Sequence, residues 1–413
     1  MRIGALSILV PLAALAPGCG DDTSTNSTGS AGATGSSQGG ATGSTSSMTG
    51  PGSTTSTTAT GSGGSVATTG AGGGGAGGGA GAGGGATDGG PISDAPSDST
   101  NGGRDASDST VSGRAPAGSP CVTGMTYGNP LPANPMAMMI KTGFSFLEGP
   151  TWVASQNALY FSDFTLNAPT GSPGKIQKYT PAGGVFEEWL TMPATNGLAI
   201  DERGSIVATS QDLQRLVRFD VVTKQLTNVM GGDMYNGQPF NCLNDVTVRN
   251  DGNIYFTDPS YQKGGRQGQP DTSYFRLSPA GVLTRIGARV QPNGISLSPD
   301  GQYLYVSSAE TNGGGVKRHQ LANDGSVMGA AMDFSPLPSD GMAIDCAGNL
   351  YLVSNNVTVV SPTGQMIGQI GGLPTGTDFV TNAAFGGPQS KTLYITSAKT
   401  LHQIVLNIPG LPN

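Results

Sequence analysis

Phe240-Asn241-Cys242-Leu243-Asn244-Asp245-Val246, continued through Arg249-Asn250-Asp251-Gly252 to Ile254-Tyr255-Phe256-Thr257-Asp258-Pro259, reads as a strand, a tight turn and a second strand. A polar residue, Asn244, stands at its head. Gly252 follows eight residues later and the apolar run Ile254-Tyr255-Phe256 begins ten residues later. The same order recurs at Asn196, with Gly204 and Ile206-Val207-Ala208. It recurs at Asn293, with Gly301 and Tyr303-Leu304-Tyr305, and at Asp340, with Gly348 and Leu350-Tyr351-Leu352. Two looser copies flank these four. One starts at Glu148 and runs to Leu159-Tyr160-Phe161; the other starts at Asn382 and runs to Leu393-Tyr394-Ile395.

Successive heads are 48, 48, 49, 47 and 42 residues apart. A period of about 40–50 residues built from short strands is the signature of a β-propeller with one blade per repeat. Six heads predict an all-β, six-bladed propeller. Radial symmetry puts equivalent residues at one radius and height, so inward-pointing heads would ring the centre with two carboxylates and four amides. Hard oxygen donors without sulfur or imidazole suit calcium. One head by itself is explained as a turn-capping Asn or Asp. Six at near-constant spacing, one of them Glu148, are not.

Outward from the repeats, the chain divides by composition. Gly makes up 68 of 413 residues, but most of it precedes residue 120, so whole-chain averages describe neither part. Residues 1–18 read as a secretory signal: Arg2 supplies the charge, and Ile3 to Ala16 is apolar but too short to span a membrane. The run Leu15-Ala16-Pro17-Gly18-Cys19 resembles a bacterial lipobox, which makes Cys19 the predicted lipidation site. Residues 19–119 are Gly, Ser, Thr and Ala with few large apolar side chains, the composition of a disordered tether. Such a tether spans about 50–60 Å in the root mean square. The expectation is an exported protein, lipid-anchored to a bacterial cell envelope, with the propeller at 120–413.

Within 120–413, apolar and polar residues alternate, as in Leu198-Ala199-Ile200 and Val246-Thr247-Val248, and helical periodicity is lacking. Met138-Met139-Ile140-Lys141-Thr142 is expected to close the ring as an outer strand beside Leu401 to Leu406, which removes an open sheet edge. The net charge of −7 with 11% charged residues shows no basic patch and argues against a nucleic-acid partner. Setting Cys19 aside leaves Cys121, Cys242 and Cys346, and the sequence leaves their pairing open. The two histidines, His319 and His402, are too few for a histidine-rich zinc site, and no G-x-S-x-G elbow accompanies them.

Leu147-Glu148-Gly149-Pro150-Thr151-Trp152, Leu243-Asn244-Asp245, Phe256-Thr257-Asp258-Pro259-Ser260-Tyr261, Pro292-Asn293-Gly294, Ser339-Asp340-Gly341-Met342 and Thr381-Asn382-Ala383-Ala384-Phe385-Gly386-Gly387, in this order, resemble the senescence marker protein / gluconolactonase / luciferin-regenerating enzyme family. The resemblance covers about 126–413 and is nearest the bacterial gluconolactonase branch. It implies a six-bladed propeller with one divalent cation, usually calcium, in the central channel. The positions that match the family's metal ligands are Glu148, Asn293 and Asp340, with Asn244 at a fourth that binds metal or substrate. The chain departs from the family at two places. Cys242 stands where regucalcin-like members have an Arg that holds sugar, and Ser210-Gln211 stands near a Glu-His pair of bacterial members.

The function this implies is calcium-dependent hydrolysis of a small-molecule lactone, sugar-derived, by a monomer. Asp340 is expected to act as general base as well as ligand. Asn196, Asn244 and Asn382 are expected to orient substrate from the channel wall, with Asp258 and Tyr261 lining the entrance. Two alternatives stand beside it. One is a phosphotriesterase resembling diisopropyl-fluorophosphatase, with the same ligand types; the other is a tethered binding or scaffold propeller without catalysis.

Overall fold

The computed structural model describes residues 114–169, 171–230, 234–310 and 314–413. The signal at 1–18, Cys19 and almost all of the tether at 19–119 lie outside the described residues. Six four-stranded antiparallel sheets follow one another along the chain, with a short two-stranded hairpin between the second and third. Their innermost strands are Leu147–Val153, Thr195–Ile200, Val246–Val248, Pro292–Leu297, Met342–Ile344 and Val380–Gly386. Each touches the innermost strand of the next sheet, and the sixth touches the first, so the sheets close into a ring of six blades. This is the predicted propeller.

The ring is closed by the expected strand, through backbone hydrogen bonds. Met138–Thr142 pairs antiparallel with Thr400–Val405, Met138 opposite Gln403 and Thr142 opposite Thr400. The sixth blade therefore joins the two ends of the propeller sequence in one sheet, and its outer edge is supplied by residues that precede the first blade.

Burial falls from the axis outward. Every residue of Leu147–Val153 is buried, whereas the outermost strand of the same blade, Val185–Pro193, is mostly open to solvent. The apolar residues of the inner strands pack between blades, as with Leu198, Val207, Val217 and Phe256 in the cluster that spans blades one to three. The Asp-Gly turns Asp251-Gly252 and Asp300-Gly301 join strands, with both glycines in the left-handed region that favours glycine.

The heads stand at or just before the start of each innermost strand. Their far ends are covered by residues 411–413 and by the segment from Arg114. Pro412 carbonyl accepts from the Trp152 N–H, Asn413 carbonyl from Ile200 N–H, and the Leu411 carbonyl from Phe385 N–H. Leu411 N–H donates in turn to the Ile344 carbonyl. Blades three and four are covered by the segment from Arg114, in which Ala117 N–H donates to the Val248 carbonyl and Asn250 N–H to the Ala115 carbonyl. Residues 114–119, ahead of the expected domain start at 120, are thus packed against the propeller. Cys121 is disulfide-bonded to Cys346 in blade five, which settles the pairing the sequence left open; Cys242 is a buried thiol.

Candidate metal and substrate site

The heads are fixed through their main chain. Ser162 Oγ in blade one donates to the Asn196 carbonyl of blade two at 2.7 Å. Thr209 of blade two donates to the Asn244 carbonyl, Thr257 of blade three to the Asn293 carbonyl, and Ser307 of blade four to the Asp340 carbonyl. Blade five has Val353 at this place, and its link to blade six is instead Gly341 N–H to the Thr381 carbonyl at 2.8 Å. Thr381 Oγ1 then donates to the Leu147 carbonyl, beside Glu148, and completes the circuit. Main-chain oxygens that would otherwise be buried without partners are satisfied by the neighbouring blade.

Glycines follow four of the heads because the blades meet too closely for a side chain there. A Cβ on Gly149 would lie 2.2 Å from the Asn196 carbonyl oxygen, and one on Gly341 would lie 2.1 Å from Cγ of Asn382. The two exceptions are Asp245 and Ala383, which follow Asn244 and Asn382. Asp245 therefore adds a carboxylate to the channel that the repeat pattern did not assign, and it was visible in the sequence as the break in the head-Gly rule.

Glu148, Asn244 and Asn293 are 4%, 4% and 5% exposed, whereas Asp340 keeps accessible surface. Burial pushes the Glu148 carboxyl well above the usual range, and the nearby charges of Asp340 and Asp245 push it the same way. Burial, with the charge of Asp245, pushes Asp340 up to about 7 against a hydrogen bond from the Asn293 amide. Burial pushes Asp245 up to about 7 against hydrogen bonds from the N–H groups of Ile295 and Val246 and from the Asn382 amide. Among the described residues, no lysine or arginine acts on these three carboxyls. Buried anions without a basic partner are costly. The donor set is hard oxygen throughout, carboxylates from Glu148 and Asp340 and amides from Asn244 and Asn293, and it fits a divalent cation of the calcium type. Among the described residues no three of His, Cys, Asp and Glu form a ready metal cluster, so such a cation would draw on amides as well as carboxylates.

The remaining predicted residues divide. Tyr261 reaches from blade three to blade four: its hydroxyl donates to the Gln291 carbonyl at 3.3 Å and is hydrogen-bonded to the Asn293 side chain. Burial, then the charge of Asp340, raises its pKa. It stands near the carboxylates of Asp340 and Glu148, whose charges act on it. Asp258, expected at the entrance too, is fully buried and accepts from the N–H groups of Asn241 and Cys242 at 3.0 and 2.9 Å. It holds the turn that leads into Asn244, as Asp163 in blade one holds Ser145 and Phe146. Asn196 is buried and its Oδ1 has no hydrogen-bond partner among the described residues. Asn382 is buried among the carboxylates. His319 and His402 lie in the third strands of blades four and six, away from the axis, bonded to Tyr274 and Thr400.

A six-bladed propeller with a buried carboxylate and amide ring at one end of its channel defines a class of proteins, and comparison with known proteins gives the family. Residues 146–399 match the family described as SMP-30/Gluconolactonase/LRE-like region, and the chain belongs to it. A gluconolactonase of Zymomonas mobilis subsp. mobilis is 30% identical over 302 residues, 65% of this chain and 79% of that protein. The structure of a gluconolactonase from Xanthomonas campestris is similar with a TM-score of 0.58 and 26% identity, over 71% of this chain and 97% of that one. The structure of a calcium-binding protein, regucalcin, from Agrobacterium tumefaciens has a TM-score of 0.55 at 19% identity, over 69% of this chain and 97% of that one, and shares the fold.

Proposed function

We propose that this protein is a calcium-dependent lactonase that hydrolyses a sugar-derived lactone at the head end of its channel. The observation that carries the reading is the cluster of Glu148, Asp245 and Asp340, on which no basic side chain among the described residues acts. Membership in the family and likeness to two gluconolactonases support the reaction class. Glu148, Asn244, Asn293 and Asp340 would hold the cation. When bound, it supplies Lewis-acid polarisation of a carbonyl oxygen.

The chain's own groups do the rest. Asp340 keeps accessible surface and can take a proton from a water that attacks the lactone carbonyl carbon. The ring C–O bond breaks, the departing alkoxide oxygen takes up the proton, and the product is the open hydroxy acid. Asn196, with its uncommitted Oδ1, can orient a substrate hydroxyl, and Tyr261 borders the approach. The covered far end of the channel leaves the head end for entry. Export and lipid anchoring at Cys19 belong to the same proposal, and the Cys121–Cys346 bond supports it because disulfides persist outside the reducing cytosol.

The test is turnover of a lactone panel, with phosphotriesters beside it, against calcium concentration for Glu148→Gln and Asp340→Asn. Glu148→Gln keeps an oxygen but loses a charge, so excess calcium should recover its activity. Asp340→Asn loses the proton acceptor as well, and should stay about 10²–10⁴-fold slow at saturating calcium. Equal rescue of both would reduce Asp340 to a ligand. Turnover of phosphotriesters alone would replace the lactone reading.

A further inference from the structure

The head end of the propeller is not chemically uniform around the ring. Phe146 stands two residues ahead of Glu148, Ala194 two ahead of Asn196 and Phe379 three ahead of Asn382. Blades six, one and two are neighbours in the ring, and these residues meet there in a small apolar cluster with Phe164 and Ala398, against which Leu166 packs. The Phe146 ring lies 5.4 Å from that of Phe164 and 6.0 Å from that of Phe379, centre to centre. Phe379 and Leu166 are only half-buried, so the cluster keeps an apolar face open beside the heads.

The main chain of this cluster is already committed. Phe164 N–H donates to the Phe146 carbonyl at 3.0 Å, Ala398 N–H to the Phe379 carbonyl at 2.9 Å, and Leu147 N–H to the Ala398 carbonyl at 3.2 Å. The Ser210 hydroxyl donates to the Ala194 carbonyl at 3.3 Å. A hydroxyl group laid on this face gives up its water for little in return, whereas a methyl group gains by leaving water. Blade four lies across the ring from blade one and is different. Gln291 stands two residues ahead of Asn293, and its amide accepts from Ser260 N–H and donates to Ser260 Oγ, both at 2.9 Å. The head end therefore has an apolar side and an amide side.

We propose that this apolar face is a substrate subsite, and that the lactone taken there derives from a deoxy sugar, with a methyl group where a full aldose has a hydroxymethyl group. The proposal rests on the lactonase reading given above and names the substrate class for it. The methyl end meets Phe379 and Leu166, and the hydroxyls of the ring face the amide side. An apolar pocket discriminates against an isostere that only adds a hydroxyl by about 10²-fold at most.

The experiment measures kcat/KM of the full-length chain in excess calcium, for sugar lactones of galacto, manno and gluco configuration and for the terminal-deoxy counterpart of each. In at least one pair the deoxy lactone should be preferred by about 10–100-fold, and Phe379→Ser should bring that ratio close to one. Turnover with no preference for a deoxy lactone in any pair overturns the proposal and leaves the lactonase reading standing. A folded Phe379→Ser that keeps the wild-type ratio also overturns it. If Phe379→Ser does not fold, Leu166→Ser decides by the same ratio: it should fall severalfold, and an unchanged ratio overturns the proposal. A wild type that hydrolyses none of these lactones removes the lactonase reading itself, and the proposal falls with it.

Discussion

Stripped of divalent cations, this protein should lose stability as the pH rises from about 5 to 7, and calcium should remove most of that slope. Asp340 and Asp245 are pushed from 3.8 to about 7, mainly by burial, and Glu148 is raised with them. In the unfolded chain the same carboxyls ionise near pH 4. Between those values the folded protein binds more protons than the unfolded chain, so unfolding free energy falls with rising pH. Each such proton contributes a limiting slope of about 1.4 kcal/mol per pH unit, and the two aspartates together give up to about 2.7 kcal/mol per unit. Asp258, also pushed to about 7 by burial, and Asp345, raised by burial in blade five, slope in the same sense. Both are tied to their own backbone turns and would not ligate the cation, so they set the residual slope. A cation bound by the ionised heads favours their charged forms and cancels only their share. The assay is urea unfolding followed by circular dichroism at several pH values across this window, in metal-stripped buffer and in excess calcium. Metal-free stability that is flat or rises with pH would refute the electrostatics of the trio. A slope that calcium leaves untouched would move the cation away from these residues.

Two further outcomes test the terminal segments. Reducing Cys121–Cys346, or replacing both cysteines by serine, opens a loop with a sequence separation of 225 and should cost up to about 5 kcal/mol on the chain-entropy estimate; a melting temperature indifferent to reductant would mean the covering segments hold without the bond. Cys19→Ser should move the protein from the membrane to the soluble fraction on differential sedimentation, and continued sedimentation with membranes would overturn lipid anchoring.

The blade count was legible because every blade repeats the same backbone problem. An inner strand must start at the axis, meet its neighbour closely and turn tightly, so a polar head recurs at near-constant spacing, followed in four of the six repeats by a turn glycine eight residues on. The closing strand Met138–Thr142 was legible for a related reason, since a ring needs an outer strand that the last repeat lacks. What was not legible depends on contacts between distant segments. Arg-Ala-Pro-Ala-Gly at 114–118 reads as more tether, yet it docks through main-chain hydrogen bonds that composition does not encode. Cys121 meets Cys346 only because that docked segment passes beneath blade five. Asp258 follows a strand at the height of the entrance, and nothing in its neighbours says that its carboxylate turns back to two N–H groups instead.

The same division of labour accounts for the chemistry available at the axis. Ser162, Thr209, Thr257, Ser307 and Thr381 fix the ring by gripping carbonyls, which every residue type provides. The head side chains carry none of that load, so one ring position can hold Glu148 and the next Asn196 without loss of the fold. Specific chemistry then depends on two layers. Below the heads, Asp245 adds a third carboxylate whose charge acts on Glu148 and Asp340. Above them, the segments 234–245 and 259–272 are stapled to blade two by Gln214, whose amide nitrogen lies within hydrogen-bond distance of the Phe240, Asn241 and Gln267 carbonyls, and by Arg266, which donates to the Gln211 and Asp212 carbonyls. The first carries Cys242, where the chain departs from the family pattern, and the second carries Tyr261. Selection among lactones is therefore expected from the upper layer and cation affinity from the lower, so substitutions in the first should move KM and substitutions in the second should move the calcium requirement.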